Sequence, residues 1–313
     1  MRKENVMPDN FKLIDTKPLA DVANNLIDKV SSAVGWYATR ETLESIAVNT
    51  LINDIQNSNL APLDKAVLIS NAKNILREYT NKSNIVQKAI PLLNEAAKPE
   101  NVDNDWIAAF MDKVRLISDE EFQIIWAKIL AEECNEPRSI SKQLLMILAQ
   151  MDKEDAETFA ALCNFCIKVQ TKTTKLNHLI IDLTKIDSYY SKYNITFGNL
   201  RNLVALGLID FEEHSDDGYN FTTTEPIISV SYGDGILVLP KTCFSMGGGS
   251  VIFKKTGEEL FKVINITQHE DFWDEIAKPY LERYWEHEEM QQKLNNTYDK
   301  LKETTEKIKN NEK

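Results

Sequence analysis

From Leu19 to about Val169, apolar residues recur at three- and four-residue intervals almost without interruption, and this periodicity confines the first half of the chain to packed amphipathic helices. Leu19, Val22, Ala23, Leu26, Ile27, Val30 and Val34 form one such stripe, ending near Gly35. Further helices are predicted over 41–55, over 63–79 behind Pro62, and over 83–97 before Pro99. The chain has 10 Gly and 9 Pro in 313 residues, too few for a loop-rich fold of this length.

The stretch 103–169 carries the strongest pattern. Trp106, Ile107, Phe110, Met111 and Val114 make one stripe. Ser118-Asp-Glu-Glu121 reads as a capping box that starts a helix through Phe122, Trp126 and Leu130, stopped near Asn135 by Pro137. Ser139 or Ser141 is expected to cap the next helix and Asp152 the one after.

Beyond Thr171 the pattern changes. An apolar stretch with β-branched content at 176–183 precedes a short helix over 195–206 that ends at Gly207, and strands follow at 208–211, 226–232, 235–239 and 251–254 with a turn at 232–235. A helix opens at Thr256-Gly-Glu-Glu-Leu-Phe261, and helix returns from Asp271. The expected fold is mainly α: a flexible N-terminus (1–18), a multi-helix domain (19–170), a smaller α+β winged-helix-like module (171–267) and a C-terminal helical or coiled-coil-like tail (268–313). In the tail, Leu294, Tyr298, Leu301 and Ile308 stand loosely at heptad positions.

A formal charge of −12 repels phosphate backbones, so nucleic-acid binding needs a local basic patch, and the most basic stretch, Lys168 to Lys175, lacks interleaved aromatics. Four cysteines do not make a disulfide scaffold in a chain this long, residues 1–10 lack the apolar core of a signal peptide, and no run reaches the roughly 18 apolar residues of a membrane span. A cytoplasmic setting is the expectation.

Candidate sites compete with plainer readings. Cys163-Asn-Phe-Cys166 has zinc or thiol-redox spacing, but no second ligand pair accompanies it, and its position late in an apolar helix face reads as core. His178, His214, His269 and His287 are scattered and form no His-Glu-x-x-His or triad pattern. Asp119-Glu-Glu121 is explained by a helix cap, and Glu132-Glu133 by a solvated helix end, although such carboxylates also suit Mg²⁺-dependent cleavage. Gly247-Gly-Gly249 leads into a strand and reads as a hairpin turn instead of a phosphate loop. The helix 197–206 would be the recognition helix of a winged helix, with Arg201 its one cation and candidate DNA contact; the acidic run 212–217 beside it favours a protein contact.

Ser118 to Pro137, with Ser141-Lys and Met151-Asp-Lys-Glu-Asp-Ala156, resembles the uncharacterised bacterial family called domain of unknown function 2806, with looser likeness at 26–35, 206–209 and 256–260. Trp126-Ala-Lys-Ile-Leu130 is also similar to a pattern in abortive-infection alpha proteins, linked with phage resistance. Neither resemblance brings catalytic residues, so Trp126, Glu132, Asn135 and Pro137 are motif positions without a role. Of these, Glu132 is the least explained, because a carboxylate near a helix C-terminus needs compensation.

These readings lead to a non-enzymatic interaction or scaffold protein in phage defence, whose C-terminal α+β module and helical tail are expected to contact another protein or a second copy of itself, with no catalytic, cofactor or metal site assigned. A winged-helix DNA-binding regulator and a metal-dependent nuclease are the alternatives.

Overall fold

The computed structural model describes residues 17–35, 41–171, 175–213, 220–221, 227–240, 246–247 and 249–282. The heptad-like positions of the tail, Cys243, His214 and His287 lie outside them. The chain forms two compact units, one of residues 1–151 with 259–264, the other of 152–258 with 265–313.

The first unit is helical: α1 (Lys17–Val34), α2 (Glu41–Asn57), α3 (Pro62–Ala89), α4 (Asn104–Val114), α5 (Glu120–Asn135) and α6 (Lys142–Leu148). Val22, Ala23, Leu26 and Val30 carry the stripe of α1 into the core, and Gly35 adopts φ +65° just past its end. The two helices expected over 63–79 and 83–97 are one helix that ends at Ala89. Polar Thr80-Asn-Lys-Ser83 resembles a break, yet Asn81 and Ser83 are buried and the Asn81 Nδ2 donates to the Arg115 carbonyl at 3.0 Å, so a tertiary bond keeps the helix running. Pro91 then tightens the chain into a 3₁₀ turn, Ile90–Leu92.

The cap of α5 is Asp119, one residue later than expected, its carboxylate accepting from the Phe122 N–H at 3.0 Å. Ser141 caps α6 as expected, accepting from the Leu144 N–H. Trp126 lies at the centre of the core, fully buried and edge-on to Phe110 at 5.6 Å, with Trp106 stacked on Phe110 beyond it.

The second unit begins with α7 (Lys153–Cys163), which the apolar periodicity alone places with the preceding helices. Asp152 and Asp155 form its reciprocal capping box. The Cys-x-x-Cys pair therefore does not share a helix: Cys163 ends α7 and Cys166 opens β1 (Cys166–Gln170). A four-stranded antiparallel sheet follows, in the order β2 (Lys175–Leu179), β1, β5 (Ile227–Tyr232), β6 (Gly235–Pro240), with β5 and β6 joined by the two-residue turn Gly233-Asp234. Two short ladders join β3 (Ile209–Phe211) to β8 (Val251–Phe253) and β4 (Asn220–Phe221) to β7 (Met246–Gly247).

The helix α8 (Phe197–Leu206) closes on Gly207 at φ +85°, whose carbonyl accepts from the Thr256 hydroxyl of α9 (Lys255–Phe261). A β-carbon at Gly257 would overlap the Leu208 carbonyl oxygen, a backbone atom that cannot swing aside. Gly257→Ala is expected to cost about 1–3 kcal/mol through forced separation of α9 from the 207–208 turn, read as a lowered denaturant midpoint at unchanged slope. The unit ends with α10 (Glu270–Phe272), a π-helical turn (Trp273–Ala277) and α11 (Lys278–Glu282).

Candidate functional site

The motif residues of α5 resolve into structural roles. Asn135 receives the Asn94 N–H on Oδ1 at 2.9 Å and donates from Nδ2 to the Leu92 carbonyl at 3.2 Å, which ties the 3₁₀ turn to the helix end. Glu132 finds its compensation in Lys262, 3.8 Å away. Pro137 precedes Arg138, held in the left-handed region at φ +76°.

Glu133 is not solvated. Only 2% exposed, it accepts from the Arg138 N–H at 2.7 Å and the Ile140 N–H at 2.9 Å, and so satisfies the loop that the left-handed Arg138 would otherwise leave with open donors. Burial pushes its carboxyl above the ordinary range against the pull of those bonds. Glu259, also buried, accepts both the N–H and the hydroxyl of Ser141, at 2.9 and 2.7 Å. These carboxylates brace a turn. Among the described residues no group of three or more His, Cys, Asp or Glu side chains could hold a metal ion.

Other sequence candidates are likewise committed to packing. Cys163 and Cys166 are buried free thiols; burial raises Cys163 well above the ordinary value and Cys166 to about 12, opposite to what thiol chemistry needs. Gly249, at φ +79°, leaves so little room that a β-carbon would lie 2.7 Å from the Ile181 nitrogen. Arg201 is clamped by Glu213 through Nε at 2.8 Å and Nη2 at 2.5 Å.

A cleft in the second unit has no counterpart in the sequence motifs. About 580 Å³ in volume, it is lined by the β5–β6 turn (Tyr232 to Gly235) and by Gln268, His269, Glu270, Trp273 and Asp274. Trp273 is packed so closely on Gly235 that a β-carbon there would overlap its indole. Tyr232 receives the His269 N–H and donates to the Asn164 carbonyl, both at 2.7 Å, holding the turn against the 268–274 segment.

Behind the cleft lies an aromatic cluster. Phe165 meets Tyr190, Tyr193 and Phe272 edge-on at 5.0–5.2 Å and stacks on His269 at 5.0 Å. The His269 Nε2 is enclosed without a hydrogen-bond partner among the described residues, and desolvation, aided by the Lys192 charge and opposed by Asp271, lowers its pKa and keeps the ring neutral. Asp271 accepts from the Tyr189 hydroxyl at 2.8 Å and from Lys192 at 3.3 Å; desolvation lifts its carboxyl, but those bonds outweigh it and leave the group below its ordinary value. Lys192 also lies 4.0 Å over the Tyr189 ring.

The described chain is thus a mainly helical protein with a small antiparallel sheet, and none of its helices is long and apolar enough to cross a membrane. It belongs to the family described as protein of unknown function (DUF2806), which matches residues 71–277 and so spans the resemblance read from 118–156. No curated protein and no solved structure matches the chain.

Proposed function

We propose that this chain is a non-enzymatic scaffold protein of the bacterial cytoplasm that associates with a second copy of itself through the α2–α3 hairpin. The observation that carries the reading is the apolar outer face of α3. Leu63 is 74% exposed and Ile75 68%, with Val67 and Leu68 beside them. At about 100° per residue these four fall within roughly 140° of arc, which they share with exposed Asp64, Asn71 and Asn74, opposite the side on which buried Ala72 and half-buried Ile69 and Leu76 lie. Four large apolar side chains exposed on one side of one helix support a protein contact there. The four-residue connection 58–61 makes α2 and α3 an antiparallel hairpin, pinned by Lys65 donating to the Gln56 carbonyl at 2.8 Å, and two such hairpins related by a two-fold axis close into a four-helix arrangement.

In this reading α8, β3 and β8 form the winged-helix-like element, and its helix serves protein contact, because the guanidinium of Arg201 is already engaged by Glu213. The abortive-infection setting rests on the likeness of Trp126-Ala-Lys-Ile-Leu130 and is tested by phage plating on hosts with and without the intact gene.

Light scattering on the full chain and on Leu63→Glu/Ile75→Glu decides the self-association. The expected result is a dimer that becomes a monomer with unchanged helical circular dichroism. A wild-type monomer at micromolar concentration, or a dimer indifferent to both substitutions, removes the proposal.

A further inference from the structure

We infer that segment 259–264 is held in the helical unit by a proton-dependent latch, in which the Glu259 carboxylate on Ser141 and the Glu133 carboxylate on Ile140 couple docking of the segment to protonation of Glu133. The segment belongs to the first unit, although the residues on either side of it belong to the second. Leu260 and Val263 are buried. The Glu259 carboxylate accepts from the Ser141 N–H and hydroxyl at 2.9 and 2.7 Å, and Lys262 lies 3.8 Å from Glu132 and 3.4 Å from Glu136.

Glu259 docks beside a carboxylate that is already seated. Glu133 accepts the Ile140 N–H at 2.9 Å, and Ser141 is the next residue, so two buried carboxylates occupy consecutive backbone amides. Consecutive residues stand about 3.8 Å apart, which keeps the two accepting oxygens within about 10 Å of each other. Buried like charges at that range disfavour each other's ionised form. The cations nearby are engaged elsewhere: Arg138 lends Glu133 its backbone N–H while its side chain is exposed, Lys262 faces Glu132 and Glu136, and Lys142 lies 3.5 Å from Asp103. Next along α5, burial pushes the Cys134 thiol up and keeps it neutral, and the charges of Lys29 and Glu100 act on that thiol. Glu259 supplies the side-chain charge that acts on Glu133, and it adds to the upward push of burial on that carboxyl.

By linkage, docking of Glu259 raises the affinity of Glu133 for a proton, and a proton on Glu133 tightens docking by the same factor. The latch therefore holds most firmly at pH below the Glu133 midpoint and loosens as pH rises through it. At this separation the factor is about three- to tenfold.

The test combines carboxyl NMR titration of Glu133 in the full chain with amide hydrogen exchange of residues 260–264, corrected for intrinsic rates. In Glu259→Gln, which keeps an acceptor for Ser141 and loses the charge, the Glu133 midpoint should fall by about half a pH unit to one unit. In the wild type, protection of 260–264 should drop about three- to tenfold as pH rises through that midpoint. In Glu133→Gln and in Glu259→Gln it should not change over the same range. Lys262→Ala should lower protection at every pH and leave the pH dependence in place. An unmoved Glu133 midpoint in Glu259→Gln, pH-independent protection in the wild type, or a dependence that survives both glutamine substitutions overturns the inference. Should Glu133→Gln fail to fold, the wild-type exchange profile and the midpoint in Glu259→Gln still decide it. Hairpin self-association is a separate matter, and either can fail while the other stands.

Discussion

Trp126→Ala is expected to lower the unfolding free energy by about 3–5 kcal/mol, the range for truncating a large buried aromatic. The side chain is fully buried, and its edge-on contact with Phe110, itself stacked on Trp106, would be replaced by a cavity between α4 and α5. Its indole N–H is buried without a hydrogen-bond partner among the described residues, so the large loss comes from packing alone. Trp126→Phe, which retains much of the apolar volume and deletes that N–H, should cost clearly less. Equal losses for phenylalanine and alanine in urea unfolding would show that the nitrogen, and not the ring, is what the core requires.

Glu133→Ala is expected to cost about 2–4 kcal/mol, because the Ile140 N–H would be left buried without an acceptor and the part-buried Arg138 N–H would lose its own. Glu133→Gln, which keeps one acceptor, should cost less and also change the response to pH. The carboxyl has a folded-state pKa raised, chiefly by desolvation, above an unfolded value near 4.5, so the folded state binds the proton more tightly. Its contribution is most favourable below the unfolded value and declines as pH rises through the folded one. The stability of the wild type relative to Glu133→Gln should therefore fall between those two points and level off above them. A difference that rises with pH would mean the backbone bonds, not burial, dominate.

How much of this was legible from residues alone depends on the distance over which each feature is satisfied. Stripes such as Val22-Ala23-Leu26-Val30, the caps at Ser141 and Asp152, and the turn between β5 and β6 are local, and spacing predicts them. The unbroken α3 was not, because the polar run at 80–83 is kept helical by a bond to Arg115, 34 residues away. Glu133 looks like any exposed residue near a helix end, and only the left-handed Arg138 makes its carboxylate indispensable. Glu259 meets Ser141 across 118 positions. The cleft assembles two short segments with no shared motif, Tyr232 to Gly235 and Gln268 to Asp274, so its one advance signal was the pair of glycines in the turn.

The 28 residues of α3 make a rod about 42 Å long at 1.5 Å per residue. Its first part stands at the hairpin tip, while its last turns are seated by Asn81, Lys88 and the buried Ile85, Val86 and Ala89. Such a strut, seated at one end, holds Leu63 about 33 Å from the buried Ile85, so a change of side chain at the tip leaves the packing of that seat untouched.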